Sequence, residues 1–77
     1  MKEILAFILK NILEDSVKIK IEEEDVDGVV VFKTFVPKDK MGIVIGKGGR
    51  TINSIKNILK IRAAKEEKRI EIELIES

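Results

Sequence analysis

Apolar residues recur along this chain with two periods, and the switches between them mark out its elements. In residues 2–14, Leu5, Ile8, Leu9 and Ile12 fall three and four apart, the stripe of an amphipathic helix. Ile4 and Leu13 widen the stripe, whereas Phe7 falls nearly opposite Leu5 and has no place in it. Asp15-Ser16 reads as the helix end. Val17, Ile19 and Ile21 then alternate with Lys18 and Lys20, which predicts a half-buried strand. The acidic run Glu22-Glu23-Glu24-Asp25, with Asp27-Gly28, reads as a solvated hairpin loop. Residues 29–36 form a nearly continuous β-branched and aromatic run, the pattern of a central strand covered on at least one face. Pro37 stops it.

Residues 38–45 fit a short helix, with Asp39 suited to its first turn. A second helix is predicted over 50–65, its core stripe Ile52, Ile55, Leu59 and Ala63. Glu66-Glu67-Lys68 makes a turn, and Ile70, Ile72 and Leu74 alternate with charged residues in a last strand. The order α-β-β-α-α-β predicts an α+β fold, a three-stranded mixed sheet with three helices on one face. The hairpin makes the first two strands antiparallel. The two-helix crossover returns the last strand parallel to the second, with a right-handed connection. Lys33, on the open face of the central strand, is then expected across from Glu71 or Glu73.

Between the two later helices lies Ile45-Gly46-Lys47-Gly48-Gly49-Arg50-Thr51-Ile52. A glycine-rich loop can turn sharply and admit a close backbone. The helix that follows starts with unpaired amides and a dipole that favours negative charge. Lys47 and Arg50 add two cations there. The stretch reads as a cradle for an anionic backbone, most simply a phosphodiester. A Walker P-loop does not fit, because only three residues separate Gly42 from Gly46 and Gly48 follows Lys47. A dinucleotide fingerprint does not fit either, because its last glycine is missing and the chain has no room for a doubly wound fold.

Seventy-seven residues make one domain, 1–77. A chain of this size buries only about 60% of its unfolded surface, so the core is small. There is no cysteine and no histidine, so disulfides, zinc chemistry and imidazole base catalysis are not expected. Ser16, Ser54 and Ser77 are scattered and draw no nucleophile–base pair, which argues against an enzyme. No metal or cofactor is expected. The apolar run from Ile4 to Leu9 is too short for a bilayer, and Glu3 stands where a signal peptide would be basic. A cytoplasmic protein is therefore expected.

The net charge of +1 conceals a segregation. Residues 1–37 carry a net −3, residues 38–65 a net +7 and residues 66–77 a net −3. The positive charge collects around the glycine loop, as in the electrostatic footprint of a nucleic-acid binder.

The motif Ile45-Gly46-Lys47-Gly48-Gly49, with Ile52 and Ile55 after it, resembles the GXXG loop of KH domains, which clamps a four-nucleotide single strand. The element order is similar to the type II, or prokaryotic, KH arrangement. The opening Met1-Lys2-Glu3, the approach from Val36 to Gly42, the loop, and Ala63-Ala64-Lys65-Glu66 resemble the small single-KH proteins of the KhpA/YlqC type. Ile52-Asn53 departs from them, standing where a smaller, more basic pair is common.

The resemblance implies a cytoplasmic RNA-binding protein linked to RNA chaperoning and to control of growth and division. It also implies self-association, or pairing with a larger Jag-type RNA-binding protein. On this reading Gly46, Lys47, Gly48 and Gly49 hold the sugar-phosphate of single-stranded RNA through their amides, beside Arg50. Gly42, Ile43 and Ile45 form a groove wall and Ile52 its floor, while backbone at a strand edge reads bases. Lys38, Lys40, Lys56 and Lys60 add salt-dependent attraction. With only Phe7, Phe32 and Phe35 as aromatics, strong base stacking is not expected. Ile61, about 180° from Ile52 on the second helix, is left over like Phe7, and both are candidates for a homodimer surface. The competing reading is a protein-interaction module in which nucleic acid is secondary.

Overall fold

Strand β2, Val29–Val36, organises the sheet. In the computed structural model, which describes residues 1–14 and 17–77, its side chains alternate strictly between two environments. Val30, Phe32, Thr34 and Val36 are buried, while Val29, Val31, Lys33 and Phe35 are half-buried on the other face. Strand β1, Lys20–Val26, pairs with β2 antiparallel, and strand β3, Arg69–Glu76, pairs with it parallel. The order β1-β2-β3 makes β2 central and leaves β1 and β3 as the two edges.

Helix α1 (Lys2–Ile12), helix α2 (Met41–Ile45) and helix α3 (Arg50–Lys65) supply the other half of the core. Leu5 and Leu9 of α1, Val44 of α2, and Ile55, Leu59 and Ala63 of α3 join Val30, Phe32 and Val36 in one buried cluster. Burying a side chain of Val, Leu, Ile or Phe size contributes about 1.5–3 kcal/mol, so this cluster is the main source of stability. The predicted architecture is the observed one, and α3 has the predicted bounds.

Four expectations need correction. The first helix ends at Ile12, short of residue 14, and Ile12 is exposed. Leu13 swings into extended backbone (φ −113°, ψ 157°) and is buried in its place. The expected end signal at Asp15-Ser16 lies outside the described residues. The first strand starts at Lys20, not Val17, and it contains the acidic run that was expected in a loop. The reason is the turn. Asp27 and Gly28 both have positive φ, 52° and 80°, and Val26 pairs with Val29. This is a two-residue hairpin turn of the type that Asp-Gly favours, and it zips the strand back through Glu22–Asp25. Those carboxylates sit on a free edge, where charge is well tolerated because it discourages pairing with other chains. Residues 38–45 are not one helix either: a 3₁₀ turn, Lys38–Lys40, precedes the five-residue α2.

On the open face Lys33 lies between Glu22 and Glu73, the second of the two partners expected. Lys20 Nζ stands 5.8 Å from the centre of the Phe35 ring and 3.5 Å from Glu22. At the hairpin end, Lys68 Nζ donates to Asp25 at 2.6 Å. That hydrogen bond holds the Asp25 carboxyl below its usual range and raises the Lys68 ammonium.

Thr34 is the exception in the core. It is fully buried between Ile21 and Leu74, and its hydroxyl has no hydrogen-bond partner among the described residues. A buried unpaired hydroxyl forfeits its hydration without compensation. Thr34→Val keeps the shape and removes the polar atom. It is expected to stabilise the protein by about 1 kcal/mol, raising the thermal midpoint by about 4–8 °C. A lower midpoint in a thermal melt would show that the hydroxyl has a partner.

Candidate nucleic-acid interface

Helix α2 is held by buried Val44 and leaves Ile43 and Ile45 exposed. The chain then leaves the helix at Gly46, with φ 76° and ψ 170°. Gly48 and Gly49 are also left-handed, at φ 64° and 79°. Gly46 is required twice over. Its φ is unfavourable for any side chain, and a Cβ there would collide with the Thr51 side chain and lie 2.8 Å from the Thr51 amide nitrogen. Gly48 has the same kind of φ but open space around it. The loop itself is a 3₁₀ turn, Lys47–Gly49, that runs into α3 without a side-chain cap.

The loop amides are not all available, which corrects the expectation that all of 46–49 face a ligand. Gly46 N–H donates to Gly42 O at 2.9 Å, and Gly49 N–H to Gly46 O at 3.1 Å. Arg50 N–H is taken by Lys47 O. The amides of Lys47 and Gly48 remain without a backbone acceptor among the described residues. They sit at the exposed tip, between the exposed side chains of Lys47 and Arg50.

The cations around the loop are uncompensated. Eight lysines and arginines lie between residues 38 and 65, and none forms an ion pair among the described residues. The lysines that do pair, Lys20 and Lys68, lie outside that segment.

From the loop, Ile52, Lys56 and Lys60 follow at intervals of four, one row along α3. Lys56 and Lys60 meet β3 across a groove of about 320 Å³, lined on the strand side by Ile70, Glu71, Ile72 and Glu73. Arg69 N–H donates to Gly28 O and Ser77 N–H to Val36 O. The two-residue alternation therefore turns the N–H and C=O of Ile70, Ile72 and Leu74 away from β2, toward the free edge.

Of the predicted site residues, the loop group Gly46, Lys47, Gly48, Gly49 and Arg50 is contiguous; Lys56 lines the groove, while Ile52, one turn before it on α3, packs against the core and is not among the lining residues. Gly42, Ile43 and Ile45 lie on α2 beside the loop and do not line this groove. Lys38 and Lys40 stand before α2, at its other end. Ile70, Glu71, Ile72 and Glu73, which line the groove on the strand side, were not among the predicted residues. The alternation in β3 and its place at an edge were legible, but not that α3 runs beside that edge. A larger hollow of about 480 Å³, between α1 and the opposite edge β1, is mostly apolar and lies away from the loop.

The family model described as KhpA/KhpB, KH domain, matches residues 2–74. The chain belongs to the KhpA/KhpB KH-domain family. Among similar KhpA proteins, each named an RNA-binding protein, that of Chlamydia pneumoniae is 34% identical over 76 residues, covering 99% of this chain and 97% of its own. That of Listeria monocytogenes is 33% identical over 76 residues, covering 99% and 100%. That of Clostridium acetobutylicum is 32% identical over 75 residues, covering 97% and 100%. The KH assignment agrees with the three helices, the mixed sheet and the Gly46–Gly49 spacing seen here.

The two positive-φ glycines make a measurable distinction. Gly46→Ala adds a collision to the strain and is expected to lower stability by about 1–3 kcal/mol. Gly48→Ala carries the φ strain alone, about 1 kcal/mol. Thermal melts of the two variants check this. Equal losses would show that the Gly46–Thr51 approach does not constrain the loop.

Proposed function

We propose that this KH domain binds single-stranded RNA, with the sugar-phosphate over the 46–50 loop and the bases along the groove between α3 and β3. The observation that carries this reading is the uncompensated cationic segment with the glycine loop inside it. Lys47 and Gly48 offer two free amides to a phosphate oxygen, and Lys47 and Arg50 supply charge. Ile52 and Ile72 give apolar surface to a base face, and the outward backbone of β3 offers a donor and an acceptor to a base edge. Ile43, Ile45 and Gly42 form the outer wall beside the loop. Lys38 and Lys40 add attraction at longer range.

A site this small binds weakly and with little selectivity, which suits an RNA chaperone or post-transcriptional regulator of the cytoplasm. Among the described residues no helix is long and apolar enough to cross a membrane. Weak sites gain from being linked. Phe7 and Ile61 are 69% and 66% exposed, and Ile58, one turn before Ile61, is 47% exposed. We assign these apolar side chains to a surface for a second copy of the chain or for a larger Jag-type RNA-binding partner. A purely protein-docking module is the competing reading, and the same exposed residues favour it.

The loop variant Lys47→Asp/Gly48→Asp separates the two. Gly48 has open space, and aspartate tolerates its φ better than most residues, so the fold is expected to survive. Binding to a single-stranded RNA should fall about ten-fold or more, because a phosphate contact becomes a repulsion. Wild-type affinity should also fall steeply with added salt. Filter binding beside a thermal melt makes the measurement. Unchanged binding with an unchanged melt rules out the loop, and a flat salt dependence favours the docking module.

For the oligomer, Ile61→Asp should give a folded monomer with weaker RNA affinity, because near a twofold axis the new charge would meet its own image. Light scattering after size exclusion reads the mass of both proteins. A monomeric wild type at high concentration, or a dimeric variant, removes Ile61 from the interface.

A further inference from the structure

We infer that Asn53 reads the ribose 2′-hydroxyl and makes the loop prefer RNA over single-stranded DNA. The inference rests on the RNA-binding reading of the 46–50 loop and deepens it. Asn53 lies four residues after Gly49 and three before Lys56, so Gly49, Asn53, Lys56 and Lys60 share one side of α3. Side chains on a helix lean toward its N-terminus. That of Asn53 leans back over the loop, and its amide comes to 3.8 Å from the point where a Cβ on Gly49 would stand. Asn53 is exposed, and its side chain has no hydrogen-bond partner among the described residues. A free carboxamide therefore stands between the glycine loop and the lysines of the groove.

That carboxamide differs in kind from the groups around it. The free backbone amides of Lys47 and Gly48 only donate, and so do the side chains of Lys47, Arg50, Lys56 and Lys60. All of them suit phosphate oxygens, which RNA and DNA share. A carboxamide is neutral, and it both donates and accepts. The 2′-hydroxyl has the same double character, and it is the group that distinguishes RNA from DNA. The placement agrees with the chemistry. Asn53 stands about 6 Å along the helix from Gly49 and about 4.5 Å before Lys56. A strand with one phosphate on the loop and the next ones beside the lysines carries a sugar past the point between them. A ribose hydroxyl there can donate to the carboxamide oxygen or accept from its nitrogen. A deoxyribose offers neither.

The test compares an RNA oligonucleotide with its 2′-deoxy counterpart of the same bases, deoxyuridine included. Fluorescence anisotropy reads both on the wild type, on Asn53→Ala and on Asn57→Ala, with a thermal melt of each protein. Wild type is expected to bind the RNA about three-fold or more tightly than the deoxy strand, as one added hydrogen bond allows. In Asn53→Ala the ratio should fall toward one through weaker RNA binding, with affinity for the deoxy strand unchanged. Asn57 lies one turn further from the loop, so Asn57→Ala should keep the wild-type ratio. Asn53 is exposed and alanine favours helix, so the melt should show no loss. Equal losses for both strands in Asn53→Ala would overturn the inference, because the carboxamide would then hold phosphate. A ratio that survives Asn53→Ala, or one that Asn57→Ala also abolishes, overturns it too. Equal binding of both strands by the wild type overturns it while leaving the RNA-binding reading intact. Binding of neither overturns both.

Discussion

Gly46 must lie against the backbone of Thr51, and the geometry of the site depends on that approach. With no Cβ in the way, the chain leaves α2, turns through three left-handed glycines and enters α3 within a single short loop. The direction of α3 follows from that entry. The direction of α3 in turn fixes where its row of Ile52, Lys56 and Lys60 passes β3. A loop one side chain wider at Gly46 would move the start of the helix, and with it the lysine wall of the groove. The glycines are thus less a flexible element than a close-fitting one.

Much of this was legible in the sequence, for identifiable reasons. The bounds of α3 follow from a long, regular period and from the glycines before it and the turn after it. The central strand follows from its β-branched run, and the strand directions follow from the connections. The acidic run was misread because charge was taken as a loop signal, when an Asp-Gly pair of positive φ already implied a two-residue turn and hence a strand on both sides. Ile12 and Leu13 exchanged roles because helical spacing says nothing about where the backbone leaves the helix. The loop amides were over-counted because two of the four are already bonded, Gly46 to the last turn of α2 and Gly49 within the 3₁₀ turn. The groove partners on β3 were invisible for a different reason. The central place of β2 already implied that β3 is an edge, but which helix lies beside that edge is a property of the assembled fold.

The segregation of charge along the chain becomes a segregation in space. The eight cations of the segment 38–65 form no ion pair among the described residues, while carboxylates line β1 and alternate along β3. Exposed ion pairs are worth little, so leaving these groups unpaired costs little stability. What the arrangement offers is field: a polyanion is attracted to the cationic segment and turned away from β1. Membership of the KhpA/KhpB family and the loop geometry point the same way, although they are independent observations.

The two edges of the sheet are treated differently, and this bears on how the protein behaves when crowded. Edge β1 carries four consecutive carboxylates, two on each face, so an incoming strand would bring its own side chains against charge whichever way it lay. Edge β3 alternates isoleucine with glutamate and keeps outward backbone groups within a groove. Any strand that adds to this sheet therefore has one edge open to it, and that edge forms one wall of the groove assigned to nucleic acid. Self-aggregation through strand addition and occupancy of the groove compete for the same backbone. RNA in the groove would then act as a solubilising ligand, shielding the one open seam of the sheet.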